Sequence, residues 1–335
     1  MDYRRLGASG LEVSELCLGA MMFGGVSDPA ESRRIIDAAR DDGVNFIDTA
    51  NAYAKGRSEE VVGEVVKDNR HDWIVATKVG APLHGGRGED ILSRRRILFE
   101  AEASLRRLDM EHIDLYYLHV DDLTTPLEET VDALNDLIRA GKVRYWAFSN
   151  AYAWRIGEMV RTAEEVGAPA PVALQQLYNI VDRCPEMEHL PACDYHGLSL
   201  VPYSPLARGV LTGKYRPGEA LPEGSRAGRG DARILETEIR EESLAIAQTL
   251  KAHAEARGMT AGQFAIRWLL ANDLVGSVIV GPKSLEQWRD YHGTLAQGFD
   301  EEDEALVDSL VPPGFSSTPF HGDPKLPADG RRLRG

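Results

Sequence analysis

Cysteine is scarce in this chain, and long apolar runs are missing altogether. The three cysteines, Cys17, Cys184 and Cys193, show no ligand-like spacing and leave an odd count. Free thiols in a reducing compartment are the expectation, with no disulfide framework and no metal site. No stretch approaches the roughly 18–20 apolar residues that span a bilayer. The opening MDYRRLGASGLEV has no apolar centre of the kind a secretory signal carries. A cytoplasmic location is therefore expected. Positive charge is the minority sign: 38 Lys and Arg stand against 53 Asp and Glu, a net charge of -15. Duplex binding needs a basic face, so nucleic acid is not an expected partner, while a local basic pocket for a phosphate stays compatible. Also missing is a G-x-G-x-x-G after the first strand candidate, which weakens a doubly wound dinucleotide fold.

What is present is an ordinary globular composition, 43% hydrophobic and 27% charged over 335 residues. That length suits either two modest domains or one large barrel. Eight apolar, β-branched or aromatic runs decide between them: SELCLGAM, VNFIDTA, WIVATKV, IDLYYLH, VRYWAFSN, PVALQQLYN, LSLVPYSP and GSVIVGP. Each reads as a strand buried on both faces. Helical periodicity lies between them, at 29–42, 58–68, 93–108 and 126–139, with further helices expected at 241–257 and 261–272. Eight such alternations predict an α/β fold, a (β/α)8 TIM barrel. An N-terminal β-hairpin (YRRLG, a turn, LEVSE) precedes it, and an irregular, Pro/Gly-rich tail over 312–335 follows. The whole chain is expected to form one domain. The stretch 211–234 is long, Gly-rich and basic, and is expected to be a functional loop.

Four of the early segments end in ionisable side chains: Asp48 and Tyr53 in NFIDTANAY, Lys78 in WIVATKV, and His119 in IDLYYLH. Singly, each has a bland explanation as a helix cap, a core aromatic, a solvated head or a satisfied histidine. Together, at the same end of consecutive strands, they suggest a catalytic rim. An Asp, a Tyr, a Lys and a His in this order and context resemble the active site of the aldo-keto reductases, and the chain looks closest to bacterial members of that family. The resemblance runs from LGASGLEVSELCLGAMMFGG to VPPG. It implies an NADP(H)-dependent oxidoreductase that reduces an aldehyde or ketone, with Tyr53 as proton donor.

Carbonyl reduction requires an acid at the oxygen, and a phenol near its ordinary pKa of about 10 is a weak one. Lowering that value by about 3 units needs roughly 4 kcal/mol. An ammonium at about 4 Å supplies on the order of 4 kcal/mol at an effective dielectric near 20. Lys78 is the candidate for that charge, Asp48 for keeping Lys78 protonated, and His119 for positioning the substrate oxygen.

The same resemblance implies the cofactor contacts. Ser149, Asn150 and Gln175 would hold the nicotinamide carboxamide and Tyr203 would stack on its ring. Ala20 and Met21, after the first strand, are also assigned to the cofactor. In YSPLARGVLTGKY, residues Ser204, Leu206, Arg208, Gly209 and Lys214 would hold the pyrophosphate. In VGPKSLEQWRDY, Gly281, Lys283 and Ser284 would lie near a 2′-phosphate, and Gln287 and Asp290 near the adenine. Lys283 with a hydroxyl beside it favours NADP over NAD. Tyr291 departs from the family, which usually places Asn there. Substrate walls are expected at Met22, Phe23, Val120, Asp121, Tyr152 and Trp154. Alternatives are an NADP-linked sugar or alcohol dehydrogenase, a non-enzymatic nucleotide-sensing subunit such as the channel-serving branch of the family, and a barrel hydrolase or isomerase. The exterior is compatible with a monomer or a homo-oligomer.

Overall fold

The computed structural model describes residues 1–81, 91–319 and 321. A hairpin of β1 (Tyr3–Arg5) and β2 (Glu12–Ser14) opens the chain. Parallel strands and helices then alternate. They run β3 (Leu16–Gly19), α1 (Pro29–Asp41), β4 (Phe46–Asp48), α2 (Arg57–Val66), β5 (Ile74–Val79), α3 (Arg94–Leu108), β6 (Ile113–Leu118) and α4 (Leu127–Arg139). Next come β7 (Val143–Ser149), α5 (Ala153–Glu165), β8 (Ala173–Leu177), α6 (Pro185–His196) and β9 (Ser199–Tyr203). The chain continues through α7 (Ala232–Thr237), α8 (Glu241–Ala256), α9 (Ala261–Leu270), β10 (Val278–Val280), α10 (Leu285–His292) and α11 (Glu301–Leu310).

The eight strands β3 to β10 hydrogen-bond in the order β10, β3, β4, β5, β6, β7, β8, β9, all parallel. A parallel bridge between Leu200 and Val275, with the Gly276 N–H donating to the Leu200 carbonyl at 2.9 Å, closes the ring beside β10. The (β/α)8 barrel with its N-terminal hairpin is therefore the observed fold.

Side-chain alternation gives the barrel two cores. Outward residues such as Val75, Tyr116 and Leu118 meet the helices. Inward residues Cys17, Phe46, Ala76, Leu115, Ala147, Val201 and Ile279 fill the interior, and Leu6 and Val13 of the hairpin pack onto them. The hairpin thus plugs the N-terminal end and leaves the C-terminal end open. Gly7 seats it: its φ is 59°, and a Cβ there would lie 2.4 Å from the Val172 carbonyl oxygen, so only glycine fits.

Helix starts follow local chemistry. Asp28 caps α1 by accepting from the Glu31 N–H, with Pro29 in the first turn. Thr260 and Gln263 form a capping box on α9. The expected loop at 211–234 is partly ordered: it is entered by a short turn of helix, Ala207–Thr212, and its end forms the start of α7. The first part of the expected tail pairs with residues 181–183, through the Arg183 N–H to the Phe315 carbonyl and the Ser317 N–H to the Val181 carbonyl. Position 320 and positions 322–335, also within that expected tail, lie outside the described residues. No helix among the described residues is long and apolar enough to cross a membrane.

Candidate active site

The open end of the barrel holds a cleft of about 400 Å³. Asp48 closes β4, Lys78 sits on β5 one residue before its end, and His119 follows β6. Strand alternation turns Asp48 and Lys78 inward, above Phe46 and Ala76. Lys78 is fully buried. Its ammonium donates to the Asp48 carboxylate, to the Thr49 carbonyl at 2.7 Å and to the Tyr53 hydroxyl at 3.3 Å. An ammonium has three N–H groups, and here three oxygens receive them. Burial acts to lower the Lys78 pKa, but the Asp48 carboxylate and the Tyr53 oxygen raise it further, so Lys78 stays protonated, above its ordinary value. Gln175 Nε2 donates to the other Asp48 oxygen at 3.0 Å and fixes the carboxylate plane.

Tyr53 reaches this group from outside the barrel wall. After β4 the chain makes a tight turn in which Ala54 (φ 47°), Lys55 (φ 58°) and Gly56 (φ 92°) are all left-handed. The turn brings the phenol back over the Lys78 ammonium, 4.8 Å from the ring centre. One expectation is corrected here. Burial raises the Tyr53 pKa more than Lys78 lowers it, and Asp48 adds to the rise, so the hydroxyl lies above its ordinary value. Desolvation outweighs the single ammonium that the charge arithmetic considered alone.

His119 meets Tyr53 edge-on, with ring centres 5.9 Å apart. Burial, aided by the Lys78 charge, pushes its pKa down to about 3, so the imidazole is neutral. Its buried Nδ1 has no partner among the described residues.

Beyond the tetrad the cleft has a neutral end and a cationic end. Ser149, Asn150, Gln175 and Tyr203 line the first. Asn150 (φ 54°) donates from Nδ2 to the His119 carbonyl at 2.9 Å and to Ser149 Oγ at 3.0 Å, and accepts from the Tyr203 hydroxyl at 2.8 Å. Arg208, Lys214, Arg226, Arg229 and Lys283 line the second. Leading to it, Ser204, Ala207, Arg208 and Gly209 all have positive φ, which curls the backbone around the cleft. Lys214 lies across Gly209, where a Cβ would come within 2.7 Å of its Nζ. Arg208 faces Glu238 at 3.4 Å and Arg226 pairs with Asp231 at 2.9 Å. Burial lowers the Lys214 pKa, and repulsion from Lys283 and Arg229 lowers it further despite the Tyr215 ring beneath it. Cations crowded this way in an acidic protein are relieved by a bound polyanion. A glycine cradle, a cationic end and a neutral polar end fit a nicotinamide dinucleotide.

Most sequence-derived positions border this cleft, including Met21, Met22, Ser204, Leu206, Arg208, Gly209, Lys214, Gly281, Lys283 and Gln287. Several do not. Phe23 is fully buried in the outer core, because its N–H turns back to the Ala20 carbonyl. Ala20 is also buried and donates its N–H to the Asp48 carbonyl. Val120, Asp121, Tyr152 and Trp154 are not among the residues that line the cleft; Asp121 pairs with Arg155 at 3.2 Å and Tyr152 stacks on Trp154. The Ser284 hydroxyl caps α10 by accepting from the Gln287 N–H. Asp290 is half-buried and bonded to Thr260 and Gln263. Sequence reasoning missed Val26, Arg226, Arg229 and Tyr291 as lining residues. Loop basicity was the available signal for the two arginines, and the departure from the family pattern for Tyr291. Val26 carried none. No cluster of three or more His, Cys, Asp or Glu side chains among the described residues is arranged for a metal ion.

Comparison with known sequences agrees with this geometry. The sequence model of the Aldo/keto reductase family matches residues 15–312. The chain belongs to the aldo/keto reductase family, a class of oxidoreductases. It is 40% identical to a protein of Arabidopsis thaliana named probable voltage-gated potassium channel subunit beta, over 84% of this chain and 87% of that one. A rice protein (Oryza sativa subsp. japonica) of the same name is 39% identical over the same shares. The uncharacterized oxidoreductase YrpG of Bacillus subtilis (strain 168) is 33% identical over 95% of this chain and 98% of its own.

Proposed function

We propose that the chain reduces an aldehyde or ketone to the alcohol with NADPH, in the cytoplasm. The observation that carries this reading is a neutral Tyr53 hydroxyl at the cleft wall, 3.3 Å from an ammonium that cannot leave. When bound, the reduced nicotinamide supplies a hydride to the carbonyl carbon. Tyr53 gives its proton to the carbonyl oxygen, and the phenolate left behind is stabilised by Lys78. Asp48, held by Gln175, keeps Lys78 charged through that step. His119 is neutral, and a buried nitrogen without an acceptor is better left unprotonated, so its proton sits on Nε2. From there it donates to the substrate oxygen and fixes its position. Ser149, Asn150 and Gln175 would hold the nicotinamide carboxamide, and Tyr203 would lie against its ring. Five cations, two of them paired with carboxylates among the described residues, exceed what a pyrophosphate balances. A 2′-phosphate near Lys283 accounts for the rest and favours NADPH over NADH.

The similarity to proteins named as channel β subunits supports a second reading, a nucleotide-binding subunit without turnover. NADPH deuterated at either face of C4 separates the two when mixed with a panel of methylglyoxal, aromatic aldehydes, aldoses and bulky cyclic ketones. Deuterium passing from one face into an alcohol product, faster than from NADH, is expected. Quenching of NADPH fluorescence with no labelled product would favour the subunit reading. Absence of quenching would remove both.

A further inference from the structure

The turn that carries Tyr53 is strained. Ala54 and Lys55 hold left-handed conformations (φ 47° and 58°) that residues with a Cβ avoid. Such a turn persists only where its surroundings over-determine it, and the first turn of α2, directly after it, supplies the contacts that do so. Ser58 is fully buried; its hydroxyl donates to the Ala20 carbonyl at 2.7 Å and meets the Thr49 hydroxyl at 2.7 Å. Glu59, next in the chain, is fully buried as well. One of its carboxylate oxygens accepts from the Thr77 hydroxyl at 2.6 Å. The other accepts at 2.5 Å from Nε of Arg107, in the last turn of α3.

Thr77 precedes Lys78 on β5, and strand alternation turns Lys78 into the barrel and Thr77 out toward α2. The Arg107 stem lies on Gly56, at the end of the Tyr53 turn, where a Cβ would come within 2.8 Å of its Cδ. Glu59 therefore joins the strand that holds Lys78 to the side chain that covers the Tyr53 turn. A buried ion pair adds little net stability, because desolvation of both charges offsets their attraction. What it does fix is direction. Neither Glu59 nor Arg107 lines the cleft. Resting on the reading of Tyr53 as proton donor, we propose that Glu59, clamped by Arg107, is a positioning residue. It holds the Tyr53 hydroxyl in register with the Lys78 ammonium from outside the barrel wall.

Two variants test this. Glu59→Gln keeps both hydrogen bonds, because its amide oxygen can accept from Arg107 and its amide nitrogen can donate to the Thr77 hydroxyl. The double variant Glu59→Met, Arg107→Met removes both bonds and both charges with similar volume, so urea unfolding should show no loss of stability. In the double variant kcat is expected to fall about tenfold to a hundredfold, with KM for the carbonyl and NADPH binding unchanged. Glu59→Gln should keep kcat within about threefold. The 13C resonance of the oxygen-bearing Tyr53 ring carbon, assigned by its loss in Tyr53→Phe, reports position without turnover. It should move in the double variant and hold in Glu59→Gln. Unchanged kcat or an unmoved resonance in a stable double variant would overturn the proposal, as would an equal loss of kcat in Glu59→Gln. If the double variant does not fold, Thr77→Val cuts the strand side of the same tie. It should lower kcat by about threefold to tenfold and move the resonance, and no change in either would overturn the proposal. Absence of turnover in the unaltered protein would remove the reduction itself, while the resonance still decides whether Glu59 positions the phenol.

Discussion

Lys78 has no contact with bulk water, yet it keeps its charge because three oxygens accept hydrogen bonds from its three N–H groups. For the phenol beside it burial outweighs the help from Lys78, and Tyr53 is held protonated. The sign of the pH dependence follows. Reduction needs the protonated phenol, so its kcat/KM should stay level through neutral pH and fall only as Tyr53 ionises, above about 10. Oxidation of the alcohol needs the phenolate and should rise with pH over the same range. Rate profiles measured in both directions check this. A reduction limb falling with a midpoint near 7 would mean that Lys78 outweighs desolvation once the cleft is filled. These candidates were legible in sequence because Asp48, Lys78 and His119 lie at or beside strand ends and Tyr53 follows one closely. Their balance was not, because desolvation depends on a neighbourhood that only the fold supplies.

The elements that carry the tetrad are set by close packing between helices. Gly63, in α2, lies against the end of α3, where a Cβ would come within 2.1 Å of the Leu108 carbonyl oxygen. Gly63→Ala should destabilise the protein by about 1–3 kcal/mol through the forced separation of the helices, although alanine is the better helix former by about 1 kcal/mol. Because α2 begins directly after the Tyr53 turn, turnover should fall with it. Urea unfolding measures the first effect, and equal or greater stability would contradict it. At this scale the strands were readable because burial on both faces leaves an unbroken apolar run, as in Ile113–Leu118. The helices α5 and α6 were harder. Neither has a capping side chain at its start, and α6 carries Pro191 in its interior. The expected wall residues Tyr152, Trp154 and Phe23 do not line the cleft, for a related reason. Their directions come from loop packing, which has no period to read.

Across the whole molecule the barrel divides its labour. In the proposed reaction, strands β4 to β6 and the turn after β4 supply the acid, the charge beside it and the carbonyl guide. Strands β7 to β10 and the loops after them supply the neutral and cationic ends of the cleft. The net charge of -15 concealed the second half in composition, because five cations gather at one end of an acidic protein. Only the family resemblance and the basicity of 211–234 pointed to it. If the halves are separate in function, they should be separable by mutation. Tyr53→Phe removes one hydroxyl from the first half and touches nothing in the second. NADPH binding to this variant, followed by fluorescence quenching, and carbonyl reduction, followed by NADPH absorbance, should part company: binding within about twofold of the original, reduction lower by two to four orders of magnitude. Reduction close to that of the unaltered protein would contradict the assignment of Tyr53 as the proton donor.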